Sequence, residues 1–292
     1  MVKIKIAFSL LILGLAFTSC DNSDDIPNFK NLTLNVSGLE DLGSDYVYEG
    51  WIIVDGSPIT TGRFSVDGTG NASQNTFSLD YESLTSATTF VLTIEPAVGD
   101  SPPPSSVHIL AGDFSGKTGN LSISHAAALG NDYATAAGEY ILATPTNGVD
   151  TNENSGIWFL SLESGSPTAG LKLPTLPVGW KYEGWTVING IPVTTGTFTA
   201  VDMVDDFDGF SSTMDGPPFP GEDFLINAPS GLTFPTDIAG GIAVISIEPD
   251  PDNSPNPFLL KPLVGDIPGN AIDHTTYTMN QNLNFPTGTV TR

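Results

Sequence analysis

The sequence contains one cysteine, three histidines and only nine Lys plus Arg among 292 residues. A single cysteine excludes any intramolecular disulfide, so the fold must stand on its apolar core. So few basic residues argue against a nucleic-acid partner, because that affinity rests on clustered Lys and Arg facing phosphates. An anionic membrane surface is disfavoured for the same reason. Charged residues make up 14% of the chain, against roughly 25% in ordinary globular proteins, which removes coiled coils and polyampholyte tails. No apolar run reaches the about 20 residues of a spanning helix. Acid and turn formers are abundant. The 33 Asp plus Glu set the net charge at −24, and 31 Gly and 23 Pro tilt the chain toward β structure. The length suggests one large or two medium domains.

The N-terminal stretch reads MVKIKIAFSLLILGLAFTSC. Lys3 and Lys5 precede an apolar run from Ile6 to Phe17, interrupted only by Ser9, which suits the apolar region of a signal peptide. Phe17-Thr18-Ser19-Cys20 resembles a bacterial lipobox. That resemblance implies cleavage before Cys20, acylation of its sulfur and attachment to a lipid bilayer. The lone cysteine is then accounted for, and two or three acyl chains give a stable anchor. Removal of both leader lysines leaves seven basic residues against 33 acids. Asp21-Asn22-Ser23-Asp24-Asp25 follows and resembles the acidic export signal of surface lipoproteins in the Bacteroidota; a solvated tether accounts for it equally.

The chain repeats itself. Tyr48-Glu49-Gly50-Trp51 recurs as Tyr182-Glu183-Gly184-Trp185, an offset of 134. The segment from Asp55 to Phe64 matches that from Asn189 to Phe198, whereas Ile94-Glu95-Pro96 matches Ile247-Glu248-Pro249 at an offset of 153. The difference between the two offsets is a net insertion of 19 residues in the second copy, between Asp202 and Gly240. Copies this long are domains rather than solenoid units. The expected organisation is a leader over 1–19, an acidic tether over 20–30, a first β-domain over 31–148, a linker over 149–156 and a second β-domain over 157–292 with an acidic inserted loop at about 202–240.

Both copies read as strands separated by turn residues at all-β spacing. Val47–Val54, Thr89–Ile94, Val107–Leu110, Leu121–Ser124, Tyr140–Ala143 and Ile157–Leu162 are expected strands, as are Tyr182–Ile188, Val193–Ala200, Ile242–Ile247 and Phe258–Leu263. The alanines between Ala126 and Ala137 could form a short helical turn. The fold class that follows is all-β, with two tandem antiparallel β-sandwich domains related by the repeat. Tyr140–Ala143 and Ile157–Leu162 could form a hairpin shared between them.

The repeat resembles the extracytoplasmic C-terminal domain of anti-sigma-K factors, which has a Tyr-x-x-Trp strand, a Gly-x-Pro…Gly-x-Phe hairpin and a hydrophobic strand ending in Glu-Pro. Tyr48, Trp51, Gly56, Pro58, Gly62, Phe64, Glu95 and Pro96 carry it in the first copy; Tyr182, Trp185, Gly190, Pro192, Gly196, Phe198, Glu248 and Pro249 carry it in the second. The resemblance implies a fold and an extracytoplasmic setting. It does not imply regulation, because the cytosolic sigma-binding domain and spanning helix of such factors have no counterpart here.

Motifs of catalysis are scarce. Ala111 to Thr118 satisfies a relaxed P-loop pattern, but the following residues alternate as a strand where a helix is needed. His108, His125 and His274 are scattered, and the last two sit at matching points of the copies, which favours a structural role. Trp51, Trp185, Tyr48 and Tyr182 point to opposite strand faces and are read as packing residues. Trp158 and Trp180 lie nearer turns and are better placed for exposure. Asp205, Asp206 and Asp208 resemble the middle of a calcium loop, although Val204 stands at the first-ligand position and Asp215 replaces the closing Glu. A solvated acidic loop is the simpler reading. Glu49 and Glu183 share a strand face with Trp51 and Trp185, so both acids are expected to be buried and to need partners. Salt bridges cannot be the shared answer, because Arg63 matches Thr197. Backbone donors, protonation or calcium remain.

The expected function is that of a non-enzymatic, surface-exposed outer-membrane lipoprotein that presents two β-domains to a protein or glycan ligand and requires no cofactor beyond a possible calcium ion. A carbohydrate-binding or adhesion module, and an extracytoplasmic sensor in a sigma/anti-sigma circuit, are the rivals. Cys20→Ala is expected to release the chain into soluble fractions or to trap its precursor; unchanged processing and membrane fractionation would refute the anchor.

Overall fold

A computed structural model describes residues 28–252 and 254–292. The leader, Cys20 and most of the expected tether lie outside the described residues. Among the described residues no helix is long and apolar enough to cross a membrane.

The described residues form nineteen strands, one short α-helix and two single-turn 3-10 helices. The first repeat supplies β1 (Phe29–Ser37), β2 (Tyr46–Val54), β3 (Ser57–Phe64), β4 (Thr76–Asp80), α1 (Tyr81–Ser86), β5 (Thr89–Pro96), β6 (His108–Ser115) and β7 (Thr118–Ser122). The connecting region holds β8 (Ala137–Leu142), β9 (Gly156–Trp158) and three two-residue pieces, β10 (Leu160–Ser161), β11 (Thr168–Ala169) and β12 (Leu171–Lys172). The second repeat follows with β13 (Trp180–Ile188), β14 (Ile191–Phe198), β15 (Gly221–Asp223), β16 (Ile242–Pro249), β17 (Leu263–Asp266), β18 (Tyr277–Gln281) and β19 (Thr287–Thr291).

Two large antiparallel sheets result, and they form two tandem β-domains. Their orders are β3-β2-β5-β6-β7-β19-β1-β4 and β14-β13-β16-β17-β18-β8-β9-β15, with β12 beside β8. The repeat is therefore structural, position for position. The match includes an exchange. The strand after β7 in sequence is β8, yet β8 pairs with β18, and β19 takes the matching place beside β7. The register agrees: Gly138 lies opposite Met279, and Gly288 lies opposite Leu121. The strand that follows the first repeat thus completes the second sheet, and the last strand of the second repeat completes the first.

This arrangement adjusts several expectations. Sheet membership crosses the expected boundary, because β8 belongs to the second sheet and β19 to the first. The hairpin of β8 and β9 forms, but wholly within the second sheet. The end of the expected tether is already strand, since β1 starts at Phe29 and alternates, burying Leu32 and Leu34. Of the expected strand Phe258–Leu263, residues 258–262 are loop and strand begins only at Leu263, as Pro257 and Pro262 remove ladder donors. The alanine-rich stretch forms turns, and the only α-helix among the described residues is α1, capped by Asp80, whose side chain accepts from Ser83 N. Gly116-Lys117 is the turn between β6 and β7, as expected of a non-nucleotide loop.

Inner faces of both sheets meet in one continuous apolar cluster that includes Leu34, Tyr48, Ile52, Phe90, Tyr140, Tyr182, Ile245 and Val290. Tyr48 and Tyr182 anchor it in the same way. Each hydroxyl donates to a backbone carbonyl eight residues upstream, Glu40 O at 3.0 Å and Pro174 O at 2.7 Å. Trp51 points to the other face, in a small cluster with Val91, Ala111 and Ala128.

Val290 is the one fully buried side chain of the exchanged strand β19. Val290→Ala is expected to cost roughly 1–3 kcal/mol and to lower the midpoint of one shared unfolding transition. Calorimetry that instead resolves a separate, earlier transition for half of the chain would contradict the interlocked arrangement.

Candidate functional site

The repeated hairpin β2–β3, and its counterpart β13–β14, carries an irregularity with chemical consequences. The register shifts between Gly50 and Trp51, so that Gly50 faces Gly62 while Trp51 faces Thr60. The second copy shifts at the same place, with Gly184 opposite Gly196 and Trp185 opposite Thr194. The extra residue is Thr61 or Thr195. A bulge of this kind brings side chains three apart onto one face. Thr60 and Arg63 therefore both reach Glu49. The glycines make this possible: a Cβ on Gly50 would lie 2.9 Å from the Phe90 ring, and one on Gly184 2.7 Å from the Phe159 ring.

Glu49, Glu95, Glu183 and Glu248 are all buried, as expected of Glu49 and Glu183. In both copies a tryptophan indole starts a short relay. Trp51 Nε1 donates to Thr93 Oγ1 at 2.9 Å, and that hydroxyl donates to Glu95 Oε1 at 2.5 Å. Trp185 Nε1 donates to Ser246 Oγ at 2.8 Å, and Ser246 donates to Glu248 Oε1. Backbone donors complete the same oxygens: Ser105 N reaches Glu95 Oε1 and Phe258 N reaches Glu248 Oε1, both at 2.8 Å. Thr60 donates to Glu49 Oε1, and Thr194 donates to Glu183 Oε1 at 2.5 Å.

The copies then part. Arg63 Nε donates to Glu49 Oε2 at 2.7 Å, and its far nitrogen pairs with Asp100. Thr197 stands in the matching register position, opposite Glu183, and turns its hydroxyl to Asp206 Oδ2 at 2.6 Å. Glu183 Oε2 is buried without a partner, whereas the strand-end acid leaves its Oε2 unpartnered in both copies, Glu95 as well as Glu248. Burial pushes Glu183 up to about 8 and Glu248 up to about 7. Both acids line a cavity of about 320 Å³ with Lys181, Thr194, Asp206 and Asp252.

A second, larger cavity of about 520 Å³ opens beside it, built by the inserted segment. Four phenylalanines, Phe207, Phe210, Phe224 and Phe234, pack with ring centroids 5.0 to 6.2 Å apart and give the insertion its own apolar seam. Above that seam β15 runs beside β9 with every residue buried. Asp223 is held by three donors: Trp158 Nε1 at 2.9 Å, Thr146 N at 2.9 Å and Thr146 Oγ1 at 2.5 Å. Its neighbour Glu222 accepts from Ser211 Oγ and leaves its other oxygen unpartnered. Burial raises Asp223, drives Glu222 up to about 8 and Asp205 up to about 7. Exposed Asp206, Asp208 and Asp215, the hydroxyls of Ser212 and Thr213, and the apolar Phe207 and Met214 line the mouth.

The expected loop ligands do not converge. Asp205 accepts from Gly221 N and Phe207 N, Asp206 accepts from Thr197, and Asp208 is exposed. Among the described residues the only metal-type group is Glu183, Glu248 and Asp252, whose ligand atoms lie within 4.8 Å of one another. Trp158 and Trp180 are buried, contrary to expectation, because Trp158 is covered by the inserted segment and Trp180 packs on Phe258. His125 Nε2 lies 3.3 Å from Asp113, His274 pairs with Asp273, and His108 meets Ala127 O. Sequence reasoning missed Thr146, Ser211, Glu222 and Asp223. Their only signal is a Gly-Glu-Asp run between Pro220 and Phe224, within the insertion.

Compared with protein-family models, with curated proteins and with solved structures, the chain matches none.

A carboxyl whose pKa is higher folded than unfolded stabilises fully below its unfolded value and loses that contribution as pH rises through its folded value. For Glu183, Glu222, Glu248 and Asp205 the window runs from about 4 up to about 8. Asp67, held down to about 2 by its own turn, acts oppositely and only in acid. In metal-free buffer the melting midpoint is expected to fall between about pH 5 and pH 8, and to fall less in Glu183→Gln. A flat profile would show that these acids have found partners.

Proposed function

We propose that this chain is a non-enzymatic lipoprotein of the outer membrane, exposed at the cell surface, that holds two β-domains in place for ligand binding, with capture assigned to the acidic cavity of the second domain. The observation that carries this reading is the asymmetry of the repeat. Two copies share strand order, bulge and buried relay, yet only the second carries the inserted segment and its cavity of about 520 Å³. The first copy then serves as a structural partner and the second as the binding face. The lipobox-like leader and the resemblance to an extracytoplasmic anti-sigma-K domain support the envelope setting. Among the described residues no Ser, Thr or Cys side chain bonds any of the three imidazoles, which supports a binding role over acyl-transfer catalysis.

A glycan ligand is the second reading, favoured by the cavity lining. Carboxylates and hydroxyls at Asp206, Asp208, Asp215, Ser212 and Thr213 suit sugar hydroxyls, and Phe207 and Met214 supply apolar surface for a ring face.

Protease shaving of intact cells tests the placement; protection of the chain until the outer membrane is broken would refute surface exposure. A glycan array probed with the processed chain tests the ligand class. Retention of a neutral or cationic glycan, lost at least about tenfold in Asp215→Arg, is the expected result. An empty array would remove the glycan reading and leave a protein ligand for capture from intact cells.

A further inference from the structure

Repetition inside one chain supplies its own comparison. Where the first copy places a guanidinium, the second has none. Arg63 reaches Glu49 at 2.7 Å, the carbonyl of Pro96 at 3.3 Å and the carboxylate of Asp100 in the turn that follows β5. The second copy keeps the acid of the hairpin, the acid that ends the long strand and an acid in the following turn: Glu183, Glu248 and Asp252. It replaces the arginine by Thr197. Thr197 is occupied with Asp206 and does not turn to Glu183.

The place left open is lined by oxygens without partners. Glu183 is 5% exposed and Glu248 is fully buried, and each keeps one oxygen that nothing in the protein satisfies; Glu95 keeps such an oxygen in the first copy too, so the Glu183 oxygen is the one that distinguishes the copies. Leaving a buried carboxylate oxygen unpartnered is costly. The nearby ammonium groups are engaged elsewhere. Lys181 Nζ lies 3.6 Å from Asp206 and 3.7 Å from Asp250 at the rim, and Lys261 Nζ donates to Phe258 O at 2.6 Å.

We propose that a divalent cation of the calcium type binds between Glu183, Glu248 and Asp252, in the place that the Arg63 guanidinium fills in the first repeat. The donor set is all oxygen and all carboxylate, which suits a hard cation and not zinc or copper. Ligand atoms within 4.8 Å of one another fit the span of two oxygens on one calcium ion, given Ca–O distances of about 2.4 Å. A cavity of about 320 Å³ leaves room for the waters that complete six to eight ligands. The site is distinct from the Asp205–Asp208 loop and does not depend on the ligand assigned to the larger cavity.

The test uses the processed, acylated chain in detergent. Melting midpoints are read in millimolar calcium and in EDTA at matched ionic strength, with calcium affinity measured by calorimetry. Calcium is expected to raise the midpoint saturably. Glu183→Gln should weaken binding by at least about tenfold and remove most of the rise, whereas Glu49→Gln, in the first copy, should leave the calcium increment intact. Thr197→Arg transplants the first copy's solution. It should raise the midpoint in EDTA and abolish the response to calcium, and it tests the site even if Glu183→Gln folds poorly. Equal midpoints in calcium and EDTA, or a calcium increment that survives both Glu183→Gln and Thr197→Arg, would overturn the proposal. Stabilisation by guanidinium but not by calcium would overturn it in favour of an arginine supplied by a partner.

Discussion

A carboxylate carried into a sheet has to find donors or a cation, and the two repeats of this chain share a pair of such groups, to which the second adds Glu222 and Asp223. Much of the local design follows from that requirement. The bulge at Thr61 and Thr195 brings a hydroxyl to the hairpin acid. The tryptophan, read from sequence as packing, also supplies an N–H whose effect passes through Thr93 or Ser246 to the strand-end acid. The turn after each long strand returns a backbone donor to the same acid. These contacts satisfy one oxygen of each carboxylate in both copies. For the hairpin acid's second oxygen the copies differ, since Glu49 has Arg63, whereas Thr197 in the matching place turns to Asp206 and leaves Glu183 without a partner.

Strand exchange binds the two halves at a coarser level. β19 lies between β7 and β1, and β8 lies between β18 and β9. Neither sheet is complete without residues from the other repeat. With no disulfide available, this interlocking and the continuous apolar cluster are what hold the tandem together. A duplication that only placed two domains in a row would leave each free to move on its linker.

Legibility in the sequence followed the strength of the pattern. The β2–β3 hairpin and β5 were readable because β-branched and aromatic residues are concentrated there and Asp55-Gly56 marks the turn. Burial of Glu49 and Glu183 was readable from the face they share with tryptophan. β19 was not, because Thr287 to Thr291 offers a single apolar side chain, Val290, and its partners are more than 150 residues away. Nor could the exchange be read: β8 and β19 would fit either sheet by pattern, and only the three-dimensional pairing decides. The insertion was recognisable as acidic and aromatic, but its acids fall on both sides of the surface. Glu222 and Asp223 are inside, while Asp208 and Asp215 are outside, and no periodicity distinguishes them over so short a strand.

The register of β1 against β19 also orients the molecule. Thr33 lies opposite Thr291 and Ser37 opposite Thr287, so Phe29 and Arg292 leave from the same end of the first sheet. The crossings to the second domain, after Ser122 and before Thr287, lie at the other end. Both ends of the described chain therefore lie at one end of the first sheet, and the two crossings to the second domain lie at the other. Anything fused after Arg292 would emerge beside the start of β1, at the end of the first sheet opposite the crossings to the second domain.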